Sequence, residues 1–165
     1  MTVAELADRL RDRFPGIAVA RGEATVVVDR DELLEALGIL RDEPHLSFRF
    51  LSSLTATDRP GRTPRYWVVY ELLSIERNHR LRVKVGLAEE DPRIPSVVAL
   101  YPTASWHERE AFDFFGIVFE GHPDLTRILL PDDWEGHPLR KTEELGGVDT
   151  RFKGAFVPPV DRRGS

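Results

Sequence analysis

The hexapeptide Arg80-Leu81-Arg82-Val83-Lys84-Val85 alternates charged and apolar side chains without a break. A period of two is the repeat of an extended chain, whose successive side chains point to opposite faces. The segment predicts a strand with Leu81, Val83 and Val85 on a buried face and three cations on the other. A half-buried strand needs neighbouring strands and a cover, so the flanking sequence must supply both. The cation row reads first as a solvated sheet face and second as an electrostatic dock for an acidic partner.

The flanks supply what is needed. Tyr66-Trp67-Val68-Val69-Tyr70 is strongly β-prone and belongs to a strand over residues 65–74. The turn-rich Asp58-Arg59-Pro60-Gly61 separates it from a strand over 46–57, and Arg77-Asn78 marks the turn into residues 80–85. Upstream, Val3, Leu6, Leu10 and Phe14 recur at helical spacing behind a Thr2/Glu5 capping box, and Pro15-Gly16 ends that helix. Short strands over 17–19 and 25–28 flank the turn Arg21-Gly22-Glu23. A second helix over 30–41, capped by Asp29, would bury Leu33, Leu34, Leu37 and Leu40. Downstream, Asp91-Pro92 and Ile94-Pro95 form a connector to a short helix over 96–100. A longer helix over 106–115 carries a Ser105/Glu108 capping box. The expected fold is α+β: a two-layer domain over 1–115, helices packed on a mixed, largely antiparallel sheet. Residues 116–165 are rich in Gly, Pro and charge and lack periodicity, which predicts an extended segment that docks on partner proteins.

Composition narrows the chemistry. With no cysteine, the chain can hold neither disulfides nor thiolate-bound iron–sulfur or zinc centres, and has no thiol nucleophile. A net charge of −5 argues against a nucleic-acid surface. The longest apolar runs, such as Ile128-Leu129-Leu130, are far short of the ~20 residues of a membrane span, and the N-terminus lacks the layout of a signal peptide.

Two groupings carry polar chemistry. In the first, His107, Glu108, Arg109, Glu110 and Asp113 share the last predicted helix, where Arg109 and Asp113 stand four apart and can pair. It reads as an ion network, and alternatively as an acid–base cluster of a free-standing enzyme. In the second, Glu120-Gly121-His122-Pro123 is echoed by Glu135-Gly136-His137-Pro138. Paired turns explain the echo better than a metal site, which would need more ligands. No Gly-x-Ser-x-Gly elbow or phosphate-cradling glycine motif is present. Trp106, Phe112, Phe114 and Phe115 read as helix-to-sheet packing rather than a quinone pocket.

The run from Glu108 through Arg109, Glu110, Asp113, Gly116, Gly121, His122 and Pro123 to Asp124-Leu125 resembles the signature of the 30-kDa subunit family of respiratory complex I. Its continuation through Arg127-Ile128-Leu129, Asp132, Gly136, His137, Arg140 and Lys141 matches as well. Bacterial members of that family are the C subunits of NADH-quinone oxidoreductase. Thr126 and Thr142 stand where members commonly carry a basic and an acidic residue. The resemblance implies a cofactor-free peripheral-arm subunit of a proton-translocating NADH:quinone oxidoreductase. Flavin, iron–sulfur clusters and quinone would reside in partner subunits. The expected partners are the large quinone-site subunit and its cluster-bearing neighbour. Contact with the membrane would be indirect, on the cytoplasmic side of a bacterial cell. Related membrane-bound hydrogenase-type complexes contain an equivalent subunit, which leaves the electron donor open. The signature residues are expected to fix the helix and its turn and to make polar contacts across an interface.

Overall fold

The computed structural model describes residues 2–143, so the remainder of the expected docking segment lies outside the described residues. The alternating segment forms β5 (His79–Leu87), with Leu81, Val83 and Val85 buried. Its antiparallel neighbour is β4 (Tyr66–Ser74), which pairs in turn with β3 (Phe50–Asp58). On the other side β5 runs parallel to β2 (Glu23–Val27), itself antiparallel to β1 (Ala18–Ala20). The sheet order β1-β2-β5-β4-β3 is mixed and largely antiparallel, as the sequence predicts. Arg21 and Gly22, both left-handed at φ 54° and 79°, close the β1–β2 hairpin in the conformation a two-residue turn needs.

One face of the sheet is the core. Val26, Leu54, Val68, Tyr70, Leu81 and Val83 lie beneath α1 (Val3–Leu10), α2 (Leu33–Asp42) and α3 (Ala104–Phe115), with Leu6, Leu33, Leu37 and Ala111 facing them. The Thr2/Glu5 capping box forms as expected, with the Thr2 hydroxyl accepting from the Glu5 amide and the Glu5 carboxylate accepting from the Thr2 amide.

Four local expectations need correction. Residues 30–32 are a 3-10 turn leading into α2, and Asp29 makes no side-chain cap. Leu34 is exposed, because the buried stripe runs Leu33, Ala36, Leu37, Leu40 and leaves it on the flank. Leu46 and Phe48 are buried but are not strand residues. The Phe48 amide donates to the Leu40 carbonyl, so this stretch caps α2 before β3 begins. Residues 96–100 form a single turn rather than a helix. Arg93–Pro95 is a strand, β6, paired parallel with β7 (Val118–Glu120), and the Ser96 amide is committed to Glu120. Only one turn, closed on the Val97 carbonyl, remains before Pro102.

The two leucines of α2 test this packing. Leu37→Ala opens a cavity in a fully buried site and should cost ~2–5 kcal/mol, whereas Leu34→Ala should stay within ~1 kcal/mol. Urea denaturation of both variants would read the difference.

Candidate functional site

α3 and the chain that returns along it contain most of the signature residues. The helix begins at Ala104, one residue before Ser105, so the Ser105/Glu108 capping box does not form and Thr103 caps without its side chain. Glu108 instead points into the core. Its carboxylate accepts from the Val97 amide at 2.7 Å and from the Ser96 hydroxyl at 2.6 Å, tying α3 to the turn after β6. No cation pairs with it among the described residues, and burial pushes its pKa up to about 7 against those two hydrogen bonds. The buried Tyr70 hydroxyl lies within its electrostatic reach and has no hydrogen-bond partner among the described residues.

Asp113, one turn further on, has the opposite environment. One carboxylate oxygen accepts from the successive amides of Ile128, Leu129 and Leu130 at 3.2, 2.9 and 2.9 Å, and the other from Arg127 at 3.0 Å. Burial raises its pKa, but three amides and a guanidinium outweigh that, and the carboxyl titrates below its ordinary range. Arg109 does not pair with Asp113. Its guanidinium donates to the carbonyls of Thr126 and Arg127 and to the Thr126 hydroxyl, and stacks 5.2 Å from the Trp106 ring. Trp106 is 64% exposed, so of the four aromatics expected to pack on the sheet, this one does not.

The histidine echo proves to be two pins. Gly121 and Gly136 take left-handed φ values of 80° and 84°, as turns of that sequence require. Each following histidine reaches a carbonyl of α3: His122 Nε2 to Ser105 at 3.1 Å, and His137 Nδ1 to Asp113 at 2.9 Å. His122 Nδ1 accepts from the Asp124 amide, so its proton sits on Nε2. The rings lie near opposite ends of the helix, and no three His, Asp or Glu side chains among the described residues could hold a metal ion together.

At the C-terminus of α3 the returning segment completes the cap. The Phe112 carbonyl accepts from Gly116, Asp113 from His137, Phe114 from the Leu139 amide, and Phe115 from Arg140 Nε at 2.7 Å. Those are the four carbonyls that a helix cannot satisfy internally, and Arg140 also complements the negative end of its dipole. Gly116 is left-handed at φ 69°, and a Cβ there would stand 2.4 Å from Arg140 and 2.6 Å from His137. The next residues clip onto the end of the sheet. The Lys141 amide donates to Asp58, which Arg65 grips with two hydrogen bonds at 2.8 and 2.9 Å; Arg65 also reaches Glu89 and the Thr142 hydroxyl. Arg65 in turn holds the Asp58 carboxyl below its usual range. Asp58 and Arg65 belong to this site although they read as ordinary turn-flanking residues. Only their positions at facing ends of a hairpin could have signalled them.

Comparison with known proteins now decides the family. The model of the respiratory-chain NADH dehydrogenase 30 Kd subunit matches residues 26–149. This chain belongs to that family. The NADH-quinone oxidoreductase C subunit of Nocardioides sp. is 49% identical over 152 residues, covering 92% of this chain and 61% of its own. The protein of the same name from Saccharopolyspora erythraea is 51% identical over 148 residues, covering 89% and 59%. This chain thus spans about three fifths of the length of these relatives. Among solved structures, the trypsin-resistant fragment of Nqo5 matches with TM-score 0.64 and 34% identity, over 76% of this chain and all of that one. The membrane-bound sulfane sulfur reductase, described as an archaeal respiratory membrane complex, matches with TM-score 0.73 and 27% identity, over 86% and 85%.

Within the family's matched span, the site residues divide by what they touch. Glu108, Arg109, Asp113, His122, Arg127, His137 and Arg140 bond to their own chain. The side chains of Glu110, Asp124, Asp132 and Lys141 are exposed and make no hydrogen bond or ion pair among the described residues, and Pro123 is exposed beside them. His107, Glu108, Glu110 and Asp113 do not converge, since two are buried against different loops and Glu110 faces solvent.

Two measurements check this geometry. An unfolded glutamate ionises near 4.5, whereas Glu108 keeps its proton to about 7. Between those values the unfolded chain has released a proton that the folded chain retains, so Glu108 lowers stability as pH rises, by roughly 3 kcal/mol in all. Glu108→Gln should flatten the stability profile between pH 5 and 7 and exceed the parent above pH 7. Separately, Gly121→Ala should cost only the ~1–2 kcal/mol of a left-handed alanine, and Gly116→Ala distinctly more. Urea midpoints across pH and for the two glycine variants give both answers.

Proposed function

We propose that this chain is a cofactor-free peripheral-arm subunit of a proton-translocating NADH:quinone oxidoreductase, scaffolding the quinone-reducing module. Electrons would pass from NADH through flavin and iron–sulfur clusters in other subunits to quinone. The chain would sit beside the large quinone-site subunit and its cluster-bearing neighbour, on the cytoplasmic side of the membrane. No described helix is long and apolar enough to cross a membrane, so attachment would come through those partners.

The observation that carries the reading is the use to which the signature is put. Arg109, Asp113, Arg127 and Arg140, with the two histidines, pin residues 122–140 along α3, and this leaves Trp106, Leu129, Trp134 and Leu139 with large exposed apolar surfaces. Exposed tryptophan and leucine beside fixed backbone are what an obligate neighbour buries, and a tryptophan at an interface centre commonly contributes ~2 kcal/mol or more. Arg109 and Arg140 would then act on assembly by shaping that surface. The likeness to the archaeal sulfane sulfur reductase favours a second reading, an equivalent subunit in a related membrane complex with another electron donor.

A tagged full-length chain extracted gently from native membranes should bring flavin- and cluster-bearing subunits and NADH-to-quinone activity with it. Trp106→Ala with Leu129→Ala should reduce that recovery severalfold, while the isolated chain loses no more than the ~1 kcal/mol of the Arg109–Trp106 contact in urea denaturation. Partners without NADH activity would select the second reading. Recovery of the chain alone would contradict both.

A further inference from the structure

On the outer face of the sheet, opposite the helices, cations outnumber the carboxylates that could pair with them. Glu71 and Glu23, the carboxylates nearest the cation row, are both bound to Arg82. Lys84 has no carboxylate within salt-bridge distance among the described residues; its ammonium rests 4.6 Å from the centre of the Trp67 ring. Burial, then the charges of Arg59 and Arg82, lower its pKa. Arg59 and Arg62 are exposed and likewise make no ion pair among the described residues. This happens on a chain whose net charge is −5.

The loop between β3 and β4 turns these groups into a cleft. It folds over the outer face where β5 has Gly86, whose missing side chain is replaced by Pro64: a Cβ at that glycine would lie 2.4 Å from the proline ring. The resulting cavity of about 560 Å³ is lined by Arg59, Pro60, Arg62, Thr63, Pro64 and Trp67. Like charges held together around an aromatic ring repel one another, and an anion seated among them would relieve that repulsion.

We propose that this corner docks an acidic peptide segment of a partner protein, its carboxylates met by Arg59, Arg62 and Lys84 around the Trp67 ring. Guanidinium groups match planar carboxylates with paired hydrogen bonds, and Trp with Arg is the pairing enriched at interface hot spots. A nucleic acid fits less well, because the acidic remainder of the chain repels a long polyanion. A phosphate site built from helix N-terminal amides is absent from the lining, which comes from a hairpin loop and a strand.

The test uses the full chain and a fluorescein-labelled octaglutamate peptide, with octaglutamine as control, read by anisotropy. The acidic peptide should bind and weaken steeply with added salt. Arg59→Gln with Arg62→Gln should lower affinity at least tenfold. Arg9→Gln with Arg21→Gln, two exposed cations elsewhere, should leave it unchanged. All four positions are exposed, so circular dichroism should report an intact fold in both variants. Absence of binding, an equal loss in both double variants, or displacement by inorganic phosphate beyond that of sodium chloride at equal ionic strength would overturn the proposal.

Discussion

The last three carbonyls of α3 are satisfied by residues 24 and 25 positions further along the chain, through His137, Leu139 and Arg140. A buried carbonyl without a donor costs more than its hydrogen bond would contribute, so the helix end and the returning segment have to form together. Gly116 makes the meeting sterically feasible, since any side chain there would occupy the space of Arg140 and His137. Once that turn is closed, the Lys141 amide reaches the Asp58 carboxylate at 2.8 Å, and the segment is fixed to the sheet as well as to the helix. The route of residues 137–141 depends on this joint, while His122, Arg109 and Asp113 hold residues 122–130 along the same helix.

Two carboxylates on the same helix show how the surroundings set a charge. Asp113 and Glu108 are both wholly buried. Asp113 collects three amides and Arg127, which outweigh burial, and it stays ionised. Glu108 receives one amide and one hydroxyl, which do not, and it is half-protonated near neutrality. The ionised group is the one that must hold a loop of bare amides at residues 128–130, and the near-neutral one closes a turn inside the core. Neither arrangement resembles a pair of carboxylates sharing a substrate.

The central strands were legible from two signals, the period of two over residues 80–85 and the aromatic and β-branched run 66–70, while their register emerged only with the fold. The α2 face was less so, because four leucines at 33, 34, 37 and 40 are too many for one stripe and sequence alone does not say which is surplus. Helix 96–100 failed for a tertiary reason, the capture of Ser96 and its predecessors by β7. In the site, glycine before His-Pro correctly announced two turns, but nothing local tells that the histidine rings reach back to α3. The expected Arg109–Asp113 pair obeys helical spacing, yet both side chains find better partners in the loop, with backbone carbonyls for the cation and amides for the anion. Thr126 and Thr142 each accept a hydrogen bond from an arginine, Arg109 and Arg65 respectively, so both threonines help hold the returning segment.

Amide hydrogen exchange in the isolated full-length chain, resolved by residue, tests the joint most directly. The prediction is that the Leu139 and Lys141 amides, which donate to Phe114 and Asp58, exchange as slowly as the amides inside α3. Exchange of both at the rate of an unstructured peptide, with α3 still protected, would contradict it: the helix would then be capped without the returning segment.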